Sequence, residues 1–221
     1  MKEFSATGTL GDTFIGICKL SKIKEDIKMY HHTIHKYWYD NIWDLYSFLP
    51  NIKEVEFVES PREDLIEITS NCHEQDMDFF PNFTIYPDLI DEQYKPYTVI
   101  QPHSGKPKGF NRKDLDINYI QSIVNKYKDK GINSVILGTD SYYEQLENCY
   151  KHINTLSLSF IYEILKQSIY FIGPEGLLSF MALSNKVHSS IFYSEKEAIQ
   201  KRIIGTPWEK YVSEFVNLRG N

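Results

Sequence analysis

The sequence lacks several features that mark whole classes of proteins. Its 221 residues include three widely spaced cysteines and no Cys-x-x-Cys pair, so neither a disulfide framework nor a cysteine zinc site is expected. No apolar run approaches the roughly 20 residues of a membrane span, and the N-terminus lacks the apolar stretch of a signal peptide. The chain also has no excess of positive charge, because its 24 Lys and Arg are outnumbered by 30 Asp and Glu and the net charge is −6. This balance argues against a general nucleic-acid coat. These absences favour a reduced, cytoplasmic protein.

Aromatic residues, in contrast, are abundant and make up 14% of the chain. Those that fall on predicted helix stripes and strands, such as Phe14 and Phe171, are expected in the core. A second group lies within 79–97, between the two regular parts of the sequence. Small lobes bury a lower fraction of their surface, so large side chains are needed to fill their cores.

Strand and helix patterns alternate along the chain, which is typical of a parallel sheet with right-handed crossovers. The alternation starts with a strand at 2–7 and restarts with an apolar strand at 97–101, after a break near 88–96. We therefore predict an α/β fold with two small Rossmann-like lobes, over 1–92 and 96–221, that face a cleft.

Two helices are predicted late in the chain, one over 141–150 and a final one over 208–216. Ligands in such sheets bind at the carboxyl ends of the strands. The loops that follow predicted strands are therefore the candidate sites, namely 8–12, 102–114, 138–141 and 173–176.

The first of these loops carries Gly8-x-x-Gly11-Asp12, after a strand and at the start of a helix. Glycines there allow a tight turn and a close ligand, and the helix start offers free N–H groups. The loop is not a dinucleotide fingerprint, because the third glycine is missing, and it is not a Walker A loop, because no Gly-Lys-Ser/Thr follows. Asp12 is either a catalytic carboxylate or a cap of that helix.

The loop 102–114 is the densest basic segment of an acidic chain, with Lys106, Lys108, Arg112 and Lys113 within eight positions. Cations at the end of a strand suit a diphosphate, since they neutralise the charge that grows as a phosphate leaves. The alternative is a solvated loop. In the same loop, His103 is a candidate donor to a phosphate or sugar, or simply a packed side chain.

The turn Gly173-Pro-Glu-Gly176 places one carboxylate, Glu175, between a strand and a helix. An acid in this position can accept hydrogen bonds from sugar or ribose hydroxyls, or can cap the helix.

Two further clusters resemble metal sites, and we interpret both as structural. Asp76-Met-Asp78 matches the Asp-x-Asp of metal-dependent glycosyltransferases, but no convincing strand precedes it and its surroundings are acidic, as in a solvated loop. His31, His32 and His35 lack further ligands at suitable spacing, and His31 and His32 point to opposite faces of a continuing strand.

Taken in order, several segments resemble the heptosyltransferase-like glycosyltransferases, glycosyltransferase family 9. They are Thr7-Gly-Thr-Leu-Gly-Asp12, Val99-Ile-Gln-Pro-His-Ser-Gly105 with Arg112 and Lys113, Val135-Ile-Leu-Gly-Thr-Asp140, the helix and strand over 157–173, and Gly173-Pro-Glu-Gly-Leu-Leu-Ser-Phe-Met-Ala182. The last stands where the family carries an Asp-Ser/Thr-Gly-x-x-His signature. Aligned on Gly176, that Asp falls at Pro174, the Ser/Thr at Glu175 and the His at Ser179 or Phe180, and the chain is shorter than a usual member.

The resemblance implies an inverting, metal-independent GT-B enzyme that uses a nucleotide-diphosphate sugar and no cofactor, in glycan or lipopolysaccharide assembly. The N-terminal lobe would bind the acceptor and the C-terminal lobe the donor, with Asp12 as general base. The final helix, from Pro207, would cross back over the cleft, as terminal helices do in this architecture. The expected donor and phosphate contacts are Gly11, His103, Ser104, Lys106, Arg112, Lys113, Asp140, Glu175 and Gly176.

Other functions fit the same residues. The acceptor can be a glycan, a lipid-linked glycan or a hydroxymethylated DNA base, and a DNA acceptor predicts binding that weakens steeply with salt. A non-catalytic nucleotide-sugar-binding protein is the second alternative, supported by the altered 173–180 signature. A metal-dependent transferase built on Asp76 and Asp78 is the third. The sugar, the base, the acceptor and the oligomeric state are left open.

Overall fold

The structure, a computed structural model, describes residues 1–33, 36–83, 85, 94–104 and 113–219. The N-terminal half, here 1–85, forms a parallel sheet with helices packed on it. Its elements are β1 (Lys2–Thr7), α1 (Leu10–Leu20), β2 (Ile27–His32), α2 (Tyr39–Tyr46), β3 (Ile52–Val58) and β4 (Ile66–Ile68). The strands lie in the order β3-β2-β1-β4, and every pairing is parallel.

The C-terminal half, here 94–219, repeats this plan on a larger scale. Its elements are β5 (Tyr97–Ile100), β6 (His103–Ser104), β7 (Lys113–Asp114), α3 (Ile117–Lys128), β8 (Asn133–Gly138), β9 (Tyr150–Ile153), α4 (Leu158–Gln167), β10 (Tyr170–Pro174), α5 (Leu177–Ser184), β11 (Ser189–Tyr193), α6 (Lys196–Arg202) and β12 (Val212–Asn217). The main sheet runs β12-β11-β10-β5-β8-β9, again all parallel, and β6 and β7 form a separate antiparallel pair. The predicted α/β class is confirmed.

Side chains at the helix starts explain where the helices begin. Asp116 accepts hydrogen bonds from the backbone N–H groups of Asn118 and Tyr119 at the start of α3, and the Ser157 hydroxyl accepts one from Phe160 N–H in α4. Asp44 of α2 accepts a further bond, 3.1 Å long, from Leu158 N–H. A residue of the N-terminal half therefore satisfies a free donor at a helix start of the C-terminal half.

The two halves share one hydrophobic core beneath the cleft. Helix α1 packs on α5, and α2 packs on α4. Phe83 lies at the centre of an aromatic cluster, with its ring 6.2 Å from Phe14, 5.7 Å from Phe48 and 5.7 Å from Tyr162 of α4. Edge-to-face pairs at such distances are favourable beyond their burial.

Residues 69–83, which belong to a stretch without a clear strand or helix pattern, follow the first sheet and contact the C-terminal half of the chain. Phe79 packs edge-on against Trp208, at 5.6 Å between ring centres, and its carbonyl accepts a 2.7 Å hydrogen bond from the Trp208 indole N–H. Trp208 is fully buried and stacks on Phe180 of α5. Aromatic residues of the irregular segment therefore fill the space between the two sheets.

Two predicted helices are wrong. Over 141–150, a 3-10 turn covers Ser141–Gln145, and Tyr150 already belongs to strand β9. Over 208–216, a 3-10 turn at Glu209–Tyr211 leads into β12, which pairs with β11 through Ile191 and Phe215. The chain end therefore extends the sheet, and the final helix expected to cross the cleft is not formed. The short helix α6, by contrast, was not predicted.

Candidate active site

A cleft of about 790 Å³ opens between the two sheets, at the carboxyl ends of their strands. From the N-terminal half it is lined by the start of α1 together with Trp38 and Asn41. From the C-terminal half it is lined by the ends of β5, β8 and β10 and by the first turn of α5. This volume lies within the range of small-molecule sites.

Asp12 lies at the start of α1 and faces this cleft with its side chain 15% exposed. Its Oδ2 accepts hydrogen bonds from the Thr9 backbone N–H at 2.9 Å and from the Thr9 hydroxyl at 3.0 Å. A Cβ atom at Gly8, whose φ is +118°, would lie 2.5 Å from this same oxygen. The glycine therefore supplies both the backbone conformation and the space that Asp12 needs. Asp12 therefore holds the start of α1 from inside its first turn, where Thr9 is the N-cap, and its other oxygen, Oδ1, is left for a second partner.

Glu175 lies in the turn between β10 and α5, on the opposite side of the cleft, and is 3% exposed. Its Oε2 contacts the Lys113 ammonium at 2.5 Å, and the same ammonium donates to the Glu175 carbonyl at 3.0 Å. Lys113 reaches this turn because β7 pairs with β6, which brings Lys113 opposite Ser104.

Arg202, at the last residue of α6, joins the two carboxylates. Its Nη2 donates to Asp12 Oδ1 at 2.8 Å and its Nη1 donates to Glu175 Oε1 at 2.7 Å. Asp12, Glu175, Lys113 and Arg202 therefore form one connected charge network across the cleft, with two negative and two positive groups.

The charges in this network control the ionisation of its buried members. Burial alone would raise the pKa of the Glu175 carboxyl, but the positive charges of Lys113 and Arg202 outweigh it, and the pKa falls below its ordinary value. Burial alone would lower the pKa of Arg202, but Glu175 and Asp12 outweigh it, and the pKa rises. Both groups are therefore held in their charged forms at neutral pH.

The other expected site residues lie at different distances from this network. Gly11 lines the cleft where α1 approaches α5, and a Cβ there would lie 3.2 Å from the Phe180 ring. Gly176 and Ser104 also line the cleft. His103 is 3% exposed, accepts a 3.2 Å hydrogen bond from Thr139 N–H at Nε2, and stacks on Tyr143.

Asp140, expected to contact the donor, caps the 3-10 turn by accepting from Tyr142 N–H at 2.9 Å and lies outside the cleft lining. Lys106 and Arg112, expected to bind phosphate, fall outside the described residues. Arg202 was missed by sequence reasoning, because it lies 190 positions from Asp12 in an unpredicted helix. One signal was available, since Arg202 is one of only four arginines in the chain.

Comparisons with known proteins place this architecture. The sequence matches no protein-family model, and no curated protein is similar to it at a significant level. Among solved structures, the Escherichia coli ADP-heptose lps heptosyltransferase II matches with a TM-score of 0.60 over 97% of this chain and 90% of its own, at 9% identity. The chain has the fold of the heptosyltransferases.

Two further structures share the heptosyltransferase fold with this chain. A glycosyl transferase of family 9 from Veillonella parvula matches with a TM-score of 0.59 at 11% identity, over 87% of this chain and 80% of its own. The iron-containing heptosyltransferase TibC of enterotoxigenic E. coli, in complex with ADP-D-beta-D-heptose, matches with a TM-score of 0.56 at 19% identity. The alignment covers 93% of this chain but 61% of TibC, so this chain spans less than two thirds of that protein.

TibC is described as iron-containing, so candidate metal ligands matter in the part of this chain that the structure describes. No three His, Cys, Asp or Glu side chains are grouped there so that they could hold a metal ion. Asp76 pairs with Lys22 on the surface, as expected for a solvated loop. Asp78 is half-buried beside the core residue Met77 and accepts a hydrogen bond from Phe80 N–H.

The histidines singled out in the sequence are also accounted for where they are described. His31 is fully buried, with Nδ1 2.8 Å from the Tyr46 hydroxyl, and burial lowers its pKa to about 4. His32 contacts the Val58 carbonyl, and His35 lies outside the described residues. No described helix combines the length and apolar character needed to cross a bilayer.

Proposed function

We propose that this chain is a glycosyltransferase that moves a sugar from a nucleotide-diphosphate donor to an acceptor hydroxyl. The observation that carries the proposal is a carboxylate, Asp12, linked through Arg202 to Glu175 and Lys113 across a cleft of the heptosyltransferase fold. Because heptosyltransferases with this fold are described with ADP-heptose, we infer ADP-heptose as the first donor to test. By the same likeness we infer that the product belongs to glycan or lipopolysaccharide assembly.

The donor diphosphate is proposed to bind on the side of the C-terminal half. Lys113 and the first turn of α5 line the cleft there, and a helix start favours an anion through its N–H groups and dipole. Lys106 and Arg112 are proposed to add charge from the same loop. Positive groups in this position stabilise the negative charge that develops as the nucleoside diphosphate leaves.

Asp12 is proposed as the general base of an inverting displacement. The acceptor oxygen attacks the anomeric carbon from the side opposite the diphosphate, and its proton passes to the Asp12 carboxylate. The new carbon–oxygen bond forms as the bond to the diphosphate breaks, and the diphosphate keeps the electron pair. A carboxylate is a modest base, so much of the rate must come from accurate positioning of acceptor and base.

The direct test compares wild type with Asp12→Asn, using ADP-heptose and lipid-linked or free glycan acceptors. Transfer is expected to fall by at least roughly 100-fold, since general base catalysis typically supplies that much. Donor affinity, measured by calorimetry, is expected to stay close to wild type. Transfer at the wild-type rate in Asp12→Asn would show that Asp12 is only a helix cap.

Two finer points are checked in the same assay. NMR of the product is expected to show inversion at the anomeric carbon, and EDTA is expected to leave the rate unchanged. A non-catalytic protein would bind the donor without turnover. Transfer to hydroxymethylated DNA, with binding that falls steeply with salt, would identify the modified-base acceptor instead.

A further inference from the structure

The C-terminal end of α6, which carries Arg202, is held by the N-terminal half of the chain. The Cys72 N–H donates a 3.0 Å hydrogen bond to the carbonyl of Lys201, and His73 Nε2 lies 3.2 Å from the carbonyl of Gln200. The last carbonyls of a helix have no partner within the helix. Segment 71–73 therefore binds the end of α6 at the groups that the helix itself leaves unpaired.

This segment is in turn fixed by α1, the helix that carries Asp12. The Lys19 ammonium is buried and donates to the carbonyls of Thr69 at 2.6 Å and of Asn71 at 2.8 Å. The contacts form a closed circuit that runs from α1 through residues 69–73 to α6, and returns through the Arg202 guanidinium to Asp12 of α1. Such a circuit fixes the place of Arg202 relative to Asp12 from both ends.

Arg202 also completes the environment of the Asp12 carboxylate. Oδ2 is bound by Thr9, and Oδ1 is bound by Arg202, so both oxygens are held and the plane of the carboxylate cannot rotate freely. The second arm of the guanidinium is bound to Glu175, beside the proposed diphosphate site. A planar guanidinium can bind two carboxylates at once in fixed directions, which a lysine ammonium on a flexible stem does less well.

We propose that Arg202 is a positioning residue, which aims Asp12 at the acceptor hydroxyl and sets its distance from the donor site. This inference rests on the proposed function, because it gives Arg202 a role only through Asp12 as base. The structure favours positioning over simple charge balance, since the guanidinium bridges one carboxylate from each half of the chain.

The test is a double-mutant cycle between Arg202→Lys and Asp12→Asn, with single-turnover rates and donor dissociation constants measured for all four proteins. Arg202→Lys keeps the positive charge, so the donor dissociation constant is expected to stay near that of wild type. The single-turnover rate is expected to fall by roughly 100-fold, as for a misplaced catalytic group. In the Asp12→Asn background the same change is expected to have almost no further effect on the rate.

Lys201→Ala is the matched control, because Lys201 is the exposed neighbour on the same helix and keeps its backbone carbonyl. It is expected to match wild type in rate and affinity. Guanidinium ion added to Arg202→Ala is expected to restore part of the rate, which a helix that had merely lost its packing would not show.

The outcomes separate the two proposals. The positioning role is wrong if Asp12→Asn abolishes transfer while Arg202→Lys is as active as wild type. It is also wrong if Arg202→Lys lowers the rate as much in the Asp12→Asn background as in wild type. In both cases the glycosyltransferase proposal stands. If Asp12→Asn is fully active, Asp12 is not the base and the positioning role is wrong, while the glycosyltransferase proposal stands. If wild type transfers no sugar, both proposals are wrong.

Discussion

At the scale of single residues, Gly8 and Asp12 are matched to each other. The φ of +118° at Gly8 is unfavourable for any residue that has a side chain. A Cβ atom added there would also lie 2.5 Å from Asp12 Oδ2. We expect Gly8→Ala to destabilise the fold by about 1–3 kcal/mol through strain and to displace Asp12, so that transfer falls as well. The measurement is urea unfolding together with the transfer rate.

Gly131 provides the control for that prediction. Its φ is +71°, but a Cβ there would meet nothing within 4 Å. Gly131→Ala should therefore cost about 1–2 kcal/mol of stability and leave transfer unchanged. Equal loss of transfer in both variants would mean that strain, and not the contact with Asp12, lowers the rate.

Glu175 gives a prediction that depends on pH. Its folded pKa is lowered, so the charged form stabilises the fold above the ordinary value of 4.5, and this contribution is lost as pH falls below it. At pH 7, Glu175→Gln leaves Lys113 and Arg202 without their shared anion, and we expect a loss of roughly 3–5 kcal/mol. The free-energy difference between wild type and variant, measured by urea unfolding, should shrink between pH 4.5 and pH 3. A constant difference over this range would contradict the ion-pair account.

Sequence reasoning found Asp12 but not Arg202, and the reason is physical. Asp12 lies within a local pattern, in which a strand, two glycines and a helix start follow one another in 12 residues. Arg202 meets Asp12 only because two separate sheets fold against each other, with 190 positions of chain between the two residues. Contacts of that kind leave no local signature, so cleft residues supplied by distant elements are beyond a single-sequence prediction.

At the scale of elements, the predicted helix over 208–216 shows how tertiary pairing overrides a local pattern. Trp208, Tyr211 and Phe215 recur at helical spacing, which favoured a helix. In the structure, Phe215 instead pairs in register with Ile191, because β11 would otherwise present an open edge. Strand β5, in contrast, was predicted correctly. It is buried at every position, and burial on both faces produces a largely apolar run that is visible in the sequence.

The link between α1 and residues 69–73 gives the prediction at this scale. Lys19 is buried, and Lys19→Met would leave the carbonyls of Thr69 and Asn71 without their charged donor. We expect a loss of about 2–3 kcal/mol in unfolding free energy and faster hydrogen exchange at the Cys72 N–H. Lys22→Met is the control, because Lys22 forms an exposed pair with Asp76, and it should change stability by less than about 1 kcal/mol. A Cys72 N–H that stays equally protected in Lys19→Met would show that Lys19 does not hold this segment.

At the scale of the whole molecule, the main question is whether the two halves behave as separate lobes. Two parallel sheets that face each other across a cleft would be compatible with two lobes that fold independently. The packing beneath the cleft opposes independence, because α1 lies on α5 and α2 on α4, and Phe83 is buried against Phe14 of α1 and Tyr162 of α4. An interface that continues the core of each half couples their unfolding.

We therefore expect the chain to unfold in one cooperative transition. The tryptophans allow the N-terminal half to be followed alone, since Trp38 and Trp43 lie in that half and Trp208 packs between the two sheets. In the Trp208→Phe variant, tryptophan fluorescence follows the N-terminal half and circular dichroism follows both halves. The two probes should give the same urea midpoint. Phe83→Ala in that background should lower both urea midpoints together, because it lowers the free energy of unfolding by about 3–5 kcal/mol. Midpoints that separate, or a Phe83→Ala effect on one probe alone, would mean that the halves unfold as independent lobes.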